Sequence, residues 1–170
     1  NMDEKIPVEE VLKPWLAIGD SIRINEKAYE IIRVVSASDF GKEYGIHIAR
    51  SIPVYYVNGV SAQSRGAYQP EHDIVLVFTN TDEETLRHEL THVVEYHQEK
   101  IPELLEFYER AKRRITEDSF EEGFTSFNFM KDIHEFIADG RTKPALIAAL
   151  KKEGLYDEFM RVTEYLFVAG

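Results

Sequence analysis

In the stretch TLRHELTHVVEYH, residues 85–97, His88 and His92 stand four residues apart and Glu89 directly follows the first. Residues four apart share one face of an α-helix, so the two imidazoles can hold one metal ion between them. Glu89 then sits beside the pair, close enough to act on a water at the metal without being a ligand. This HExxH spacing is used for metal-assisted hydrolysis, with the glutamate as general base. Two ordinary surface histidines would give the same letters, so the neighbouring pattern has to decide. Leu86, Leu90, Val93 and Val94 recur on the other helical face, and a β-rich segment comes just before. Both features suit a helix with one face in a core and one face at a site.

The elements that must position these groups divide into a mixed first half and a helical second half. PVEEVLKPWLAI reads as a short amphipathic helix interrupted at Pro14. SIRINEKAYEIIRVV reads as a hairpin about residues 25–27, and SDFGKEYGIHIARSI as a helix weakened by two glycines. PVYYV, SAQSRGAY and DIVLVF read as three more strands, separated by NG and QPEH turns. Thr81 with Glu84 predicts a capping box that opens the HExxH helix. IPELLEFYERAKRRI predicts a second amphipathic helix with Pro102 in its first turn. EDSFEEGFTSFNFMKD reads as irregular, its phenylalanines as core. From Ile133 the chain reads as helical again, with breaks at Gly140 to Pro144 and at Gly154. No linker separates the halves, which predicts a single α+β domain over 1–170: a small, mostly antiparallel sheet within 1–80 and helices over 81–170.

Composition narrows the function classes. With 44% hydrophobic and 30% charged residues, 170 residues suffice for a buried core without cross-links. A net charge of −11 leaves no basic face for phosphate, so nucleic acid is not an expected partner. The absence of cysteine excludes disulfide frameworks and cysteine-based zinc knuckles. No apolar run is long enough for a membrane span, and NMDEKIPVEE lacks the basic-then-apolar pattern of a signal. Compartment stays open, because a leader could have been removed; the cytoplasm is the default. Oligomeric state is not legible.

Catalytic zinc usually takes three protein ligands and a water. The metzincin pattern would place glycine three residues after His92 and histidine six after; those positions hold Glu95 and Gln98. The gluzincin alternative draws a glutamate from a later helix, and HEFIADG offers Glu135 with Asp139 one turn on. Glu135 would bind zinc, and Asp139 would accept a hydrogen bond from a ligating imidazole. The pair resembles the Glu-x-x-x-Asp arrangement of thermolysin. The chain is more similar to the family of the anthrax lethal factor catalytic domain and the Pro-Pro endopeptidases. There an HExxH helix precedes, by some forty residues, a glutamate opening an EFFAE-like helix; here Glu135 comes forty-three residues after His92 in EFIAD. Phage- and mobile-element-encoded zincin-like domains share this layout. The resemblance spans roughly residues 61–136, about half the chain.

That resemblance implies a zincin-like fold, one Zn²⁺ per chain, and hydrolysis of a peptide or protein substrate by a zinc-activated water with Glu89 as base. The family carries a tyrosine seven residues before the zinc glutamate, where its hydroxyl stabilises the oxyanion. The equivalent here is Asn128, whose amide can donate. Tyr68, Tyr96 and His134 are other candidates for that role. Substrate would lie extended along an edge strand, with QSRGAY as the candidate edge. Gly66 would allow close backbone approach and Tyr68 would form a pocket wall. A second class of function fits the same residues: a zinc-stabilised binding or regulatory module with little or no turnover. A third, a metal-free interaction domain, requires the motif to be accidental.

Overall fold

The computed structural model describes residues 15–24, 26–61, 64–120 and 128–169. Residues 7–14 of the predicted N-terminal helix lie outside them, as do Phe124 and Phe127, and its last four residues, 15–18, are not helical. The molecule is α+β and forms two compact units, Asn1–Leu90 and Thr91–Gly170. The division falls inside the helix that carries the two histidines.

The first unit holds one five-stranded sheet in the order β1-β2-β3-β5-β4. β1 (Ser21–Ile24) and β2 (Lys27–Ser36) form the expected hairpin, its turn using Glu26 at φ 69°. In β1, Ile22 and Ile24 are buried while Ser21 and Arg23 are exposed, the alternation of a half-buried strand. β2 pairs antiparallel with β3 (Pro53–Val57), with a bulge between Ile31 and Arg33 that leaves Ile32 partly exposed. β4 (Gly66–Gln69) and β5 (Ile74–Val77) form a second hairpin, and β5 inserts parallel to β3. β5 is buried at every position, which is why it reads as a continuous apolar run rather than an alternating one. This leaves β4 at a sheet edge. The helix expected from Ser38 onward is α1 (Ala37–Tyr44) and is shorter than predicted. Gly45 takes the left-handed conformation at φ 75° and closes it.

α2 (Glu83–Glu95) contains the whole HExxH motif. Its cap is Asp82, not Thr81: Asp82 Oδ1 accepts from Thr85 N at 2.8 Å. A capping bond reaches the third helical residue, so Thr81 is one residue too early and Glu84 sits at the second position rather than the third. The Thr81 hydroxyl is buried with no hydrogen-bond partner among the described residues. Leu86, Leu90, Val93 and Val94 are all buried, as their spacing predicts.

The second unit packs α3 (Pro102–Arg114), α4 (Ile133–Thr142), α5 (Pro144–Lys152) and α6 (Tyr156–Ala169), with 3₁₀ turns at Glu117–Ser119 and Asn128–Met130. Its core centres on Phe136, whose ring meets Tyr108 at 4.9 Å and Phe159 edge-on at 5.2 Å. Phe120 and Phe129 join that core, as expected of the aromatic segment. The break expected over Gly140 to Pro144 is present at its far end, and Gly140 itself stays in α4. It is buried inside the helix, where a Cβ would lie 2.3 Å from Phe159 Cζ. The break comes at Lys143, because Pro144 cannot continue the i→i−4 ladder and instead opens α5. Among the described residues no helix is long and apolar enough to cross a membrane.

Candidate metal centre

In the first unit, several contacts hold the front of α2. Asp82 caps it and pairs with Arg65. Hydrogen bonds from Thr85 hold the Asp82 carboxyl below its ordinary range, with Arg65 adding to the effect. Arg87 donates to Tyr44 O at 2.9 Å and lies over the Tyr44 ring. Gly66 has a packing reason to be glycine: a Cβ there would sit 3.1 Å from Leu76 O and 3.2 Å from Thr85 Cγ2. Finally, Glu89 is 8% exposed, and its Oε1 accepts the backbone N–H of Tyr68 at 2.8 Å.

That last bond locates the open side of β4. Residues of an antiparallel pair alternate between facing the partner strand and facing away. Phe78 N donates to Arg65 O, so Arg65 faces its partner and, two residues on, so does Ala67; Gly66 and Tyr68 turn their main-chain groups outward. The Tyr68 side chain is committed elsewhere. Its hydroxyl donates to Asp73 Oδ1 at 2.6 Å, and burial, then this bond, pushes its pKa well above the ordinary phenol range. Tyr68 thus offers the site a backbone donor, and its hydroxyl belongs to the cluster with Asp73 and Arg50.

In the second unit, α4 begins at a cap absent from the sequence reading. Asp132 Oδ1 accepts from Glu135 N at 2.8 Å, which fixes the turn from which Glu135 projects. Glu135 Oε1 lies 3.5 Å from His92 Nε2. His88, one turn earlier on α2, completes the group: His88, His92 and Glu135 each present one ligand atom, all within 4.8 Å of one another. Tetrahedral zinc with bonds of about 2.0–2.2 Å separates its ligand atoms by roughly 3.3–3.6 Å. The His92–Glu135 separation of 3.5 Å satisfies that. The donor set, two imidazoles and one carboxylate, also suits zinc.

His92 is held from behind by a residue that sequence reasoning passed over. Its Nδ1 is 2.8 Å from Glu95 Oε2, and the other Glu95 oxygen meets His134 Nδ1 at 2.7 Å and Lys100 Nζ at 3.0 Å. Burial alone would raise the Glu95 carboxyl. The hydrogen bonds from His134 and His92 and the Lys100 charge outweigh burial, so it lies below the ordinary carboxylate range. The signal is present in the sequence, since His92 and Glu95 are three apart on one helix face. Against the metzincin pattern, however, position 95 counts only as a missing glycine. His134 is further fixed by stacking on Tyr96 at 4.1 Å.

Asp139 is buried one turn beyond Glu135 on α4. Asn128 opens the 3₁₀ turn at 128–130 and is half-buried there. That turn is anchored by Tyr108, whose hydroxyl donates to Phe129 O at 2.9 Å. Burial, then the charge of Asp132, pushes the Tyr108 hydroxyl up to about 12.

Compared with known protein families, with characterised proteins and with solved structures, the chain has no match.

Proposed function

We propose that this chain is a zinc-dependent endopeptidase of the gluzincin type, similar in layout to the lethal factor and Pro-Pro endopeptidase family. The observation that carries the reading is the convergence of His88, His92 and Glu135 within 4.8 Å, with Glu89 in the same helical turn as His88. His88 and His92 would bind through their imidazoles and Glu135 through its carboxylate. Zinc in such a site supplies Lewis acidity, which polarises a carbonyl and acidifies a water. Glu89 takes the proton of the attacking water and passes it to the leaving amine. Its carboxylate is partly withdrawn from solvent and held by the Tyr68 N–H, so it is pre-oriented before substrate arrives. Asp139 is positioned in sequence to steady a ligating imidazole, as metal-bound histidines require. An extended peptide adding to β4 would displace the Ser64 hydroxyl, which bonds both main-chain groups of Gly66. It would meet the Tyr68 donor already bonded to Glu89, so base and substrate backbone share one N–H.

One observation favours the second reading, a zinc-stabilised module with little turnover. Asn128 stands where the family has its tyrosine, and the Tyr68 hydroxyl is taken by Asp73. Metal content and turnover separate the readings. Protein purified without chelator should carry about one zinc per chain, and His88→Ala should lose most of it. A mixed peptide library read by mass spectrometry should then show cleavage that a chelator abolishes. Zinc without cleavage supports the module; equal zinc in wild type and His88→Ala refutes the site.

A further inference from the structure

Glu95 is fully buried, yet three basic side chains, His92, His134 and Lys100, meet its carboxylate. An ionised carboxylate only accepts hydrogen bonds, so both imidazole Nδ1 atoms that meet it must carry hydrogen. For His92 this leaves Nε2 as the nitrogen without hydrogen in the neutral ring, and Nε2 is the atom facing Glu135. For His134 the same bond, with the Tyr96 stack, immobilises the residue next to Glu135 in sequence. Two adjacent residues at the start of α4 therefore engage two residues in the last turn of α2: His134 with Glu95, and Glu135 with His92. Lys100 compensates the charge of this buried carboxylate and is itself tied to the main-chain carbonyls of Glu95 and Gln98.

Resting on the metal site proposed above, we infer that Glu95 is its positioning residue. The carboxylate sets His92 in the Nδ1–H form, so that Nε2 is presented to metal. Through His134 it also seats the first turn of α4, so that Glu135 arrives at the same point. A carboxylate serving only to fill the core would have no reason to engage both ligand-bearing segments at once.

The test uses the full chain as wild type, Glu95→Gln and His134→Ala, each measured without metal and with Zn²⁺. Long-range ¹H–¹⁵N spectra of the histidine-labelled, metal-free chain read the tautomer of His92. Chelator competition reads zinc Kd. Wild type should show His92 in the Nδ1–H form. Glu95→Gln places an amide where a pure acceptor stood, and it should lose that preference and weaken zinc binding by about 10- to 100-fold. His134→Ala leaves the His92–Glu95 bond intact, so the tautomer should persist while zinc binding weakens less, by several-fold. If Glu95→Gln binds zinc as wild type does and keeps the Nδ1–H form, the assignment of Glu95 is overturned and the metal site survives. If wild type itself takes up no zinc, the metal site and the role of Glu95 fall together. Should Glu95→Gln fail to fold, His134→Ala decides: unchanged zinc affinity overturns the inference.

Discussion

Gly140→Ala sets two opposed effects against each other in the helix that carries Glu135. Alanine is the better helix former by about 1 kcal/mol, so propensity alone predicts stabilisation. The new Cβ, however, would lie 2.3, 2.7 and 2.9 Å from three atoms of the Phe159 ring. Ordinary carbon contacts are about 3.5–4.0 Å, so the ring must retreat by more than about 1 Å. Phe159 is fully buried and stands edge-on to Phe136, which is equally buried. Neither ring can move into solvent, so the cost should fall in the upper part of the roughly 1–3 kcal/mol typical of overpacking. The net effect is a loss of about 1–2 kcal/mol, or a fall in Tm of roughly 2–8 °C for a chain of this size. Thermal unfolding of metal-free protein measures it, and a double-mutant cycle with Phe159→Leu identifies the cause. In the Phe159→Leu background the same glycine change should cost less, with a coupling of about 1 kcal/mol. A Gly140→Ala chain that melts at or above the wild-type temperature would refute the reasoning, because Phe159 would then have room to yield. Since Phe136 adjoins Glu135, the variant should also bind zinc more weakly than wild type.

Glu89→Gln removes no ligand, so zinc content should be retained while any peptidase rate falls by a factor on the order of 10² or more; a variant as fast as wild type would assign the base elsewhere. Glu135→Ala should be the most damaging carboxylate change for zinc affinity, with Asp139→Asn weakening it by about 10- to 100-fold; the reverse order would remove Glu135 from the ligand set. Asp82→Ala should destabilise by about 1 kcal/mol through the lost cap, whereas Thr81→Val, which removes a buried hydroxyl without a partner, should be neutral or stabilising; calorimetry on the two variants decides which residue caps α2. Hydrogen bonds from Arg110 hold the Glu158 carboxyl below 4.5, its ordinary value, so this pair contributes stability above that pH and loses it as pH falls through the lower folded value. Glu158→Gln should therefore melt earlier than wild type at neutral pH, with the gap closing in acid; a gap independent of pH would refute the ion-pair assignment.

How much of this is legible in the sequence depends on how local each cause is. The alternation of Ile22 and Ile24 and the spacing of Leu86, Leu90, Val93 and Val94 follow from periods of 2 and 3.6, and all of these side chains are buried. The cap differs from expectation by one residue because Thr81 and Asp82 are both good caps by type; only the bond from Thr85 tells them apart. The expected break over Gly140 to Pro144 falls at Lys143, while Gly140 stays helical because a distant ring, nineteen residues on, requires its missing side chain. The parallel pairing of β3 with β5 has no local signature, since it depends on β4 turning back to leave a gap between them.

The metal group divides along the same line. His88, Glu89 and His92 are bound together by helix geometry, so their pattern in sequence is nearly their arrangement in space. Glu135 could be nominated only by resemblance, and its approach to 3.5 Å from His92 Nε2 is a tertiary fact. Glu95 is instructive because it is local and still escapes a motif search. Read as a departure from a metzincin pattern, it counts only as a missing glycine. Read as an acid three residues beyond a histidine, it predicts a bond to Nδ1 and therefore which ring nitrogen remains for metal. A position that fails one family's pattern still has a chemistry of its own, and at residue 95 that chemistry is a bond that orients the His92 ring.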